Sequence, residues 1–474
     1  MQRIIPNNII SIDINNIDFN DKEAVKALIL QLLSTIDQQA QVIQDLRKET
    51  QQLKDELNRS KGEKGRPTIL PNNSDYKSKL PADKSNKWHK STKKPKIKID
   101  RTEYIRIDRS VLPPDAKHTG YRRVVRQNIK FKTDNVEYRL ERYYSPSLKK
   151  TYEAELPKSL QNTEFGSDLK AFITYLYYAG RVTENKIHSI LEEIGIIISE
   201  GEISNILTKE KSNIYSIEKQ SIFETGVNQA DYLNIDETGA RHKGINHYLH
   251  TICNRLFSVF FIRRNKGRST IRELLGLSGE EQTDKPIITD DAGQYIGISS
   301  HHALCWIHEI RYYNKMSPFL NHHKSVLNVF LNEMWNFYEL LTRYKEKPDQ
   351  NMKTFIREKF DSIFSIVTGY ETLDKRIAMT KKKKDELLLI LDYPNVPLHN
   401  NVAEIAVREG VIKRKISYGT RSDLGKTAWE NMLSIMDTCR KLGVSFYKYL
   451  LGIFSNNYSM TRLSDLILAA SKAT

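Results

Sequence analysis

Cysteine and long apolar runs are two things that this chain of 474 residues has little of. Its three cysteines, Cys253, Cys305 and Cys439, lie far apart, which excludes a disulfide framework and predicts a reducing compartment. No apolar run approaches the roughly 20 residues needed to span a bilayer. The start, MQRIIPNNIISIDI, has no basic stretch followed by a continuous apolar one, so we expect no signal peptide. The sequence predicts a soluble, cytoplasmic protein without a membrane partner.

Acidic residues are in deficit, with 58 Asp and Glu against 74 Lys and Arg and a formal net charge of +16. Such a balance favours a polyanionic partner through counterion release, without indicating a sequence preference. The length predicts about two to four domains. The hydrophobic content of 39% fits a packed core with polar, extended segments beside it.

Glycine and proline are absent from residues 22–58, where apolar residues follow a heptad repeat. Eight of the ten seam positions are apolar, with mostly β-branched residues at a and mostly leucine at d, and this arrangement favours a two-stranded coiled coil. We expect residues 1–58 to form a coiled coil that makes the chain a homodimer or higher oligomer through 22–58. One amphipathic helix packed on its own domain is the alternative. The a positions are Ile29, Ile36, Ile43, Thr50 and Leu57, and the d positions are Val25, Leu32, Gln39, Leu46 and Leu53.

Three segments with different patterns follow. Residues 59–100 carry thirteen Lys and Arg against four Asp and Glu, which predicts a basic flexible linker or arm that contacts DNA phosphates. Residues 101–160 alternate apolar and charged side chains, which predicts a small β module that binds DNA through a basic face including Arg122, Arg126 and Lys130. Residues 161–228 predict a helical domain, in which two amphipathic helices share a core or form a helix-turn-helix.

From residue 229 the pattern is β-β-β-α-β-α, the order of a ribonuclease-H-like core. Residues 311–395 are almost wholly helical and predict an all-α insertion before the last part of this core. The fold class expected is a multidomain α+β and α/β protein. The core comprises 229–310 and 396–425, and C-terminal helices occupy 426–474.

Three acidic motifs lie in this part of the chain: NIDETGAR, IITDDAGQY and HNNVAEIAVREG. Asp236 and Asp290 each end an apolar run that predicts a strand, whereas Glu404 lies in a helix that Asn400 or Asn401 would cap. Glu237 would face away from Asp236 because side chains alternate along a strand, and Asp291 is the alternative to Asp290. Solvated turn acids and a capping role for Glu404 are the structural alternatives. Two strand-borne aspartates and a helix-borne glutamate are what a ribonuclease-H-like fold uses to hold two divalent cations.

Cationic side chains accompany these acids. His308 and Arg311 would lie just past the fifth strand, and five more cations follow Glu404, an arrangement suited to phosphate contacts near a cut site. Cys305 and His308 resemble half of a zinc site, but the other half is missing, so we expect no zinc and a buried Cys305. The cations after Glu404 are Arg408, Lys413, Arg414, Lys415 and Arg421.

The joint pattern resembles the insertion-sequence-66 type of bacterial DDE transposase over nearly the full length. The similarity lies in the DET of 236–238, the TDDAGQY of 289–295, the C-W-x-H-x-x-R of 305–311 and the N-N-x-A-E-x-A-x-R of 400–408. One departure is clear: the family's small module binds zinc through two C-x-x-C pairs, and residues 105–155 contain no cysteine.

The resemblance implies an enzyme that binds the ends of an insertion sequence and catalyses DNA cleavage and strand transfer. Asp236, Asp290 and Glu404 would then be both catalytic residues and ligands of two Mg²⁺ ions, with Mn²⁺ as a substitute. Its partners would be double-stranded DNA, both terminal inverted repeats and target, and accessory proteins of the same element, in the bacterial cytosol at the nucleoid. A non-enzymatic dimeric DNA-binding regulator or transposase relic, and a structure-specific nuclease of the same fold, are the alternatives.

Overall fold

A computed structural model describes residues 21–60, 99–156 apart from 109, 111, 128, 130 and 131, then 164–456 and 460–472. The chain divides into two compact units, Met1–Leu46 with Lys132–Thr474, and Arg47–Phe131. The predicted basic arm of 59–100 lies outside the described residues except at its ends. No described helix is both long and apolar enough to cross a membrane.

The first helix, α1 (Lys22–Ser60), begins after Asp21, whose carboxylate accepts hydrogen bonds from the amides of Glu23 and Ala24. Its heptad stripe, including Ile29 and Ile36, is exposed within the described residues. Another face of the same helix is buried against the helical insertion. There the Asp37 carboxylate accepts hydrogen bonds from His323 and from two backbone amides, and the Ser34 hydroxyl accepts one from an amide.

Residues 99–156 contain less sheet than the alternation predicts. The described residues of 121–133, where a strand was expected, carry none. Two short antiparallel strands, β1 (Arg142–Ser145) and β2 (Lys150–Glu153), pair with each other and with no other strand of the described residues. All their side chains but Ser145 are exposed, so alternation here has no apolar partner that would extend the sheet.

A five-stranded mixed sheet lies at the centre of the larger unit, in the order β5-β4-β3-β6-β7. The pairs β3–β4 and β4–β5 are antiparallel, whereas β3–β6 and β6–β7 are parallel. A tight turn at Lys243 and Gly244, both with positive φ, joins β3 to β4. The strands are β3 (Leu233–His242), β4 (Ile245–Cys253), β5 (Ser258–Arg263), β6 (Ile287–Thr289) and β7 (His302–Leu304), with α6 (Arg268–Leu275) between β5 and β6.

Helices before and after the sheet share one hydrophobic core with it. Helices of 161–228 therefore pack within the core of the sheet, and Ile187, Leu191, Ile203 and Ile206 of the helix pair 184–208 are buried in it. These helices are α2 (Ser167–Tyr178), α3 (Glu184–Glu193), α4 (Glu200–Thr208), α5 (Ser212–Gln229), α13 (Asp423–Lys441), α14 (Phe446–Phe454) and α15 (Leu463–Lys472).

The helices between β7 and α12 (Asn401–Ser417) pack around a second hydrophobic cluster. Trp306 anchors this cluster: it is buried among aromatic rings, and its indole N–H donates to the Leu387 carbonyl at 2.8 Å. The helices are α7 (Trp306–Asn314), α8 (Asn321–Glu346), α9 (Gln350–Ile363), α10 (Glu371–Lys381) and α11 (Lys384–Leu387), and the 3-10 turn Leu389–Leu391 follows.

Candidate active site

Asp236 and Asp290 lie side by side because of the parallel pairing of β3 and β6. Asn234 is opposite Ile288, and each aspartate lies two residues further along, hence on the same face. Asp290 follows the end of β6, as predicted. The expectation that Asp236 ends its strand is wrong: β3 continues to His242 because its second half pairs with the start of β4.

Burial is the main cause of an unusual ionisation of these two acids. It raises the pKa of Asp236 to about 7, and the charges of Glu237, Asp290 and Glu404 raise this pKa further, against a hydrogen bond from the Glu237 amide. Burial also raises the pKa of Asp290, although the Ala292 amide donates to its carboxylate at 3.1 Å. Among the described residues, neither aspartate forms an ion pair with a cation, so both are available to a ligand of positive charge.

Glu404 is placed by Asn400, whose side chain has a different role from the predicted cap. Asn400 is the residue before α12, but its buried amide group donates to the Ile235 carbonyl at 2.8 Å and accepts from the Asn234 amide at 2.8 Å. These bonds fix the start of α12 against β3, immediately before Asp236. Glu404, in the first turn of α12, therefore lies near Asp236, and its charge acts on the Asp236 carboxyl.

Glu237 belongs to a separate group of side chains. Its carboxylate accepts hydrogen bonds from Gln294 at 2.6 Å and from the buried Tyr295 hydroxyl, and Lys266 Nζ lies 3.9 Å away. Gln294 and Tyr295 belong to the same sequence motif as Asp290. This motif therefore places one acid in the site and binds another with its last two residues.

Asp291 differs from Asp290 because the insertion supplies its partner. Lys383, between α10 and α11, forms an ion pair with the Asp291 carboxylate and lies 3.5 Å from the buried Glu309. Arg376 of α10 also pairs with Glu309. A carboxylate already compensated by a lysine is the weaker candidate ligand, so the geometry favours Asp290.

His308 and Arg311 lie on α7 and contact Glu404. His308 Nδ1 is 3.6 Å from Glu404 Oε1, and Arg311 Nη2 donates to Glu404 Oε2 at 3.2 Å. The side chain of Cys305, the residue before α7, is buried next to them, as expected. Cys305, His308 and Glu404 bring their ligand atoms within 4.8 Å of one another and form the one such cluster of potential metal ligands in the described parts of the chain.

The cations after Glu404 fall into two groups. Arg414 donates to the Gly239 carbonyl and so ties α12 to β3, and Lys413 donates to the Tyr177 hydroxyl at 2.5 Å, where burial lowers its pKa to about 8. Arg408, Lys415 and Arg421 are exposed. Arg122 and Arg126 are also exposed, in the smaller unit, whereas Lys130 lies outside the described residues.

Sequence reasoning did not find three contacts of this site. The bridge from Asn400 to β3 was missed because asparagine before a helix indicates a cap. The pairing of Lys383 with Asp291 spans 92 residues, and no pattern singles out one lysine of the KKKK run. The hydrogen bonds to Glu237 have a signal, since Gln294 and Tyr295 stand beside DDAG, but that signal does not identify their partner.

Comparison with known proteins assigns the chain to a family of transposases. A family model described as "Transposase IS66 family" matches residues 162–428, more than half of the chain. The chain therefore belongs to the IS66 transposase family, which confirms the resemblance found in its motifs.

Part of the chain is also similar to "Uncharacterized protein y4jO" of Sinorhizobium fredii, with 43% identity over 168 residues. The match covers 35% of this chain and 51% of the relative, so the chain spans about half the length of the curated relative it matches.

Proposed function

We propose that this protein is a DDE transposase with a ribonuclease-H-like core, which binds the ends of an insertion sequence and catalyses metal-dependent cleavage and strand transfer. The observation that carries the proposal is the convergence of Asp290 and Glu404 on Asp236 in the middle strand of the sheet, with both aspartates lacking a cationic partner among the described residues. The strand order β5-β4-β3-β6-β7, antiparallel and then parallel, supports the fold assignment.

The three carboxylates fit a pair of Mg²⁺ ions, since hard cations prefer oxygen ligands and these acids repel one another without one. Bound there, divalent cations would neutralise charge on the attacking and leaving oxygens of an in-line phosphoryl displacement. Asn400 holds the helix of Glu404 against β3, and Arg311 orients the Glu404 carboxylate. Water would attack first and release a 3′-hydroxyl, which then attacks a target phosphodiester by transesterification.

The DNA would lie across the carboxylates of Asp236, Asp290 and Glu404. His308, Arg311, Arg408, Lys415 and Arg421 are candidates for its phosphates, with Arg122 and Arg126 of the smaller unit as further contacts. The exposed stripe of α1 would pair with a second copy of the chain, so that two sites act on two element ends.

Matched substitutions of the neighbouring aspartates test this proposal. Asp290→Asn and Glu404→Gln should each reduce Mg²⁺-dependent nicking of a duplex carrying the element ends below about a tenth of the wild-type rate, with gel-shift binding intact. Asp291→Asn is the control and should retain most activity, because Asp291 is paired with Lys383. Nicking by Asp290→Asn at the wild-type rate would refute the assignment, and binding without cleavage by the wild type would indicate a DNA-binding regulator.

A further inference from the structure

We propose that Cys305, His308 and Glu404 form a site for a thiophilic divalent cation such as Zn²⁺, and that this site shares Glu404 with the carboxylate triad. Occupation of this site would withdraw Glu404 from Asp236 and Asp290 and inhibit the enzyme; this second statement alone rests on the proposed function. From the sequence, Cys305 and His308 resemble half of a zinc site and no zinc is expected, because the third ligand lies about a hundred residues beyond this C-x-x-H pair.

The geometry needs only small adjustments to hold a metal. One ligand atom each from the thiol, the imidazole and the carboxylate lie within 4.8 Å of one another. Tetrahedral zinc with bonds of about 2.0–2.3 Å requires donor atoms roughly 3.3–3.8 Å apart. His308 Nδ1 and Glu404 Oε1 are already separated by 3.6 Å. The fourth position would be left to water.

The thiol is surrounded by donors that suit a thiolate. The backbone N–H of Asn400 donates to Cys305 Sγ at 3.3 Å. The backbone N–H groups of Ile307 and His308, at the start of α7, also form hydrogen bonds to this sulfur. Burial raises the pKa of the Cys305 thiol, while these three amides lower it. Without a metal the buried sulfur is therefore a neutral thiol, and the three amide donors would stabilise the thiolate that forms when a cation binds and displaces the proton.

The other two ligands have unused atoms that face each other. Within the described residues, His308 Nδ1 and Glu404 Oε1 are buried and have no hydrogen-bond partner. A cation between them would satisfy both. A thiolate with an imidazole selects zinc or cobalt over magnesium, which prefers oxygen ligands only.

Arg311 competes with this cation. Its guanidinium donates to His308 Nε2 at 3.1 Å and to Glu404 Oε2 at 3.2 Å. Donation to Nε2 leaves the proton of a neutral imidazole on Nδ1, the atom that the metal would need. Arg311 must therefore rotate away when the metal binds, and its half-exposed side chain has room to do so. Removing Arg311 should tighten metal binding.

Cobalt spectroscopy of the full-length protein, without DNA or Mg²⁺, tests the site. Co²⁺ should bind with one thiolate charge-transfer band and tetrahedral visible bands, and Zn²⁺ should displace it. Cys305→Ser should abolish the charge-transfer band, whereas the matched variants Cys253→Ser and Cys439→Ser, at buried cysteines elsewhere, should keep it. The proposal would be overturned if the charge-transfer band survived in Cys305→Ser, or if the wild-type protein showed no such band.

Zn²⁺ affinity from the same titrations gives a second measurement. We expect His308→Gln and Glu404→Gln to weaken Zn²⁺ binding by about tenfold or more, and Arg311→Ala to tighten it. If Cys305→Ser fails to fold by circular dichroism, unchanged affinity in both His308→Gln and Glu404→Gln would refute the site. Inhibition is measured separately as the ratio of nicking with and without Zn²⁺ within each variant. Because the cobalt spectrum requires no cleavage, failure of the transposase assignment would leave the metal result standing.

Discussion

Asp236 and Glu237 are neighbours in one strand, but their surroundings differ: polar side chains bind the Glu237 carboxylate, whereas other acids surround Asp236. Glu237 is bound by Gln294, Tyr295 and, more distantly, Lys266. Asp236 is surrounded by other acids, and burial together with their charges raises its pKa to about 7. An acid compensated by its own chain holds the fold together, whereas an uncompensated buried acid costs stability until a ligand neutralises it. The difference identifies which acids of this sheet serve the chemistry.

The largest expected effect is on cleavage. Asp236→Asn should lower the single-turnover nicking rate about 10³-fold or more, because a ligand of the metal pair is lost. Glu237→Gln should stay within about tenfold of the wild type, since glutamine keeps an oxygen for Gln294 and Tyr295. If both variants lose activity equally in the same nicking assay, the distinction between the two acids fails.

Asp236→Asn, which should abolish most of the cleavage, should nevertheless raise the free energy of unfolding. Since the folded pKa of Asp236 is raised from 3.8 to about 7, its contribution to stability is full below the unfolded pKa and is lost as the pH rises through 7. Without metal, Asp236→Asn should be more stable than the wild type at about pH 8, by on the order of 2–4 kcal/mol, and equal to it near about pH 4. Denaturant unfolding at the two pH values measures this difference, and a destabilised Asp236→Asn at pH 8 would contradict it.

The proton on Asp236 should also compete with the metal. Stabilisation of the wild type by Mg²⁺, measured as the shift of Tm, should increase between about pH 6 and about pH 8. In Asp236→Asn the shift should be small and independent of pH. A wild-type shift that stays constant over this range would show that Asp236 does not bind the cation.

A smaller effect is expected at the bridge between α12 and β3. Asn400→Ala leaves the Ile235 carbonyl and the Asn234 amide group unpaired in the interior and should cost about 1–3 kcal/mol of unfolding free energy. The adjacent Asn401 is exposed, so Asn401→Ala should change stability by less than about 0.5 kcal/mol. Equal unfolding free energies for the two variants would contradict the bridging role of Asn400.

The smallest effect separates two lysines of α12. Lys415 is exposed, and Lys415→Ala should reduce the slope of log affinity against log salt by about one unit if it contacts a phosphate. Lys413 lies over the Tyr177 ring, 3.9 Å from its centroid, and Lys413→Met should leave the slope unchanged. A salt titration of DNA binding measures both slopes. A lower slope for Lys413→Met would show that Lys413 also contacts a phosphate and would contradict this distinction.

Local patterns predicted much of the core, because they depend on neighbours in sequence. The glutamate of the third motif lies in a helix, as expected, and strands form within PIITD and HHALCWIH, the two segments where they were predicted. The second strand is shorter than predicted, because α7 begins at Trp306. The extent of β3 was missed because its second half is determined by pairing with β4 rather than by its own composition. The roles of Asn400, Lys383 and Arg414 depend on contacts across the fold, which spacing in the sequence does not encode.

The two faces of α1 have a geometric consequence. The buried Asp37 and Ser34 fasten this helix to the insertion, while the stripe of Ile29 and Ile36 stays open to solvent. A helix rises about 1.5 Å per residue, so the 39 residues of α1 carry this stripe over a length of roughly 60 Å. A molecule bound to the stripe would therefore lie on another face of a helix that is hydrogen-bonded to the insertion, whose Lys383 contacts the residue next to Asp290.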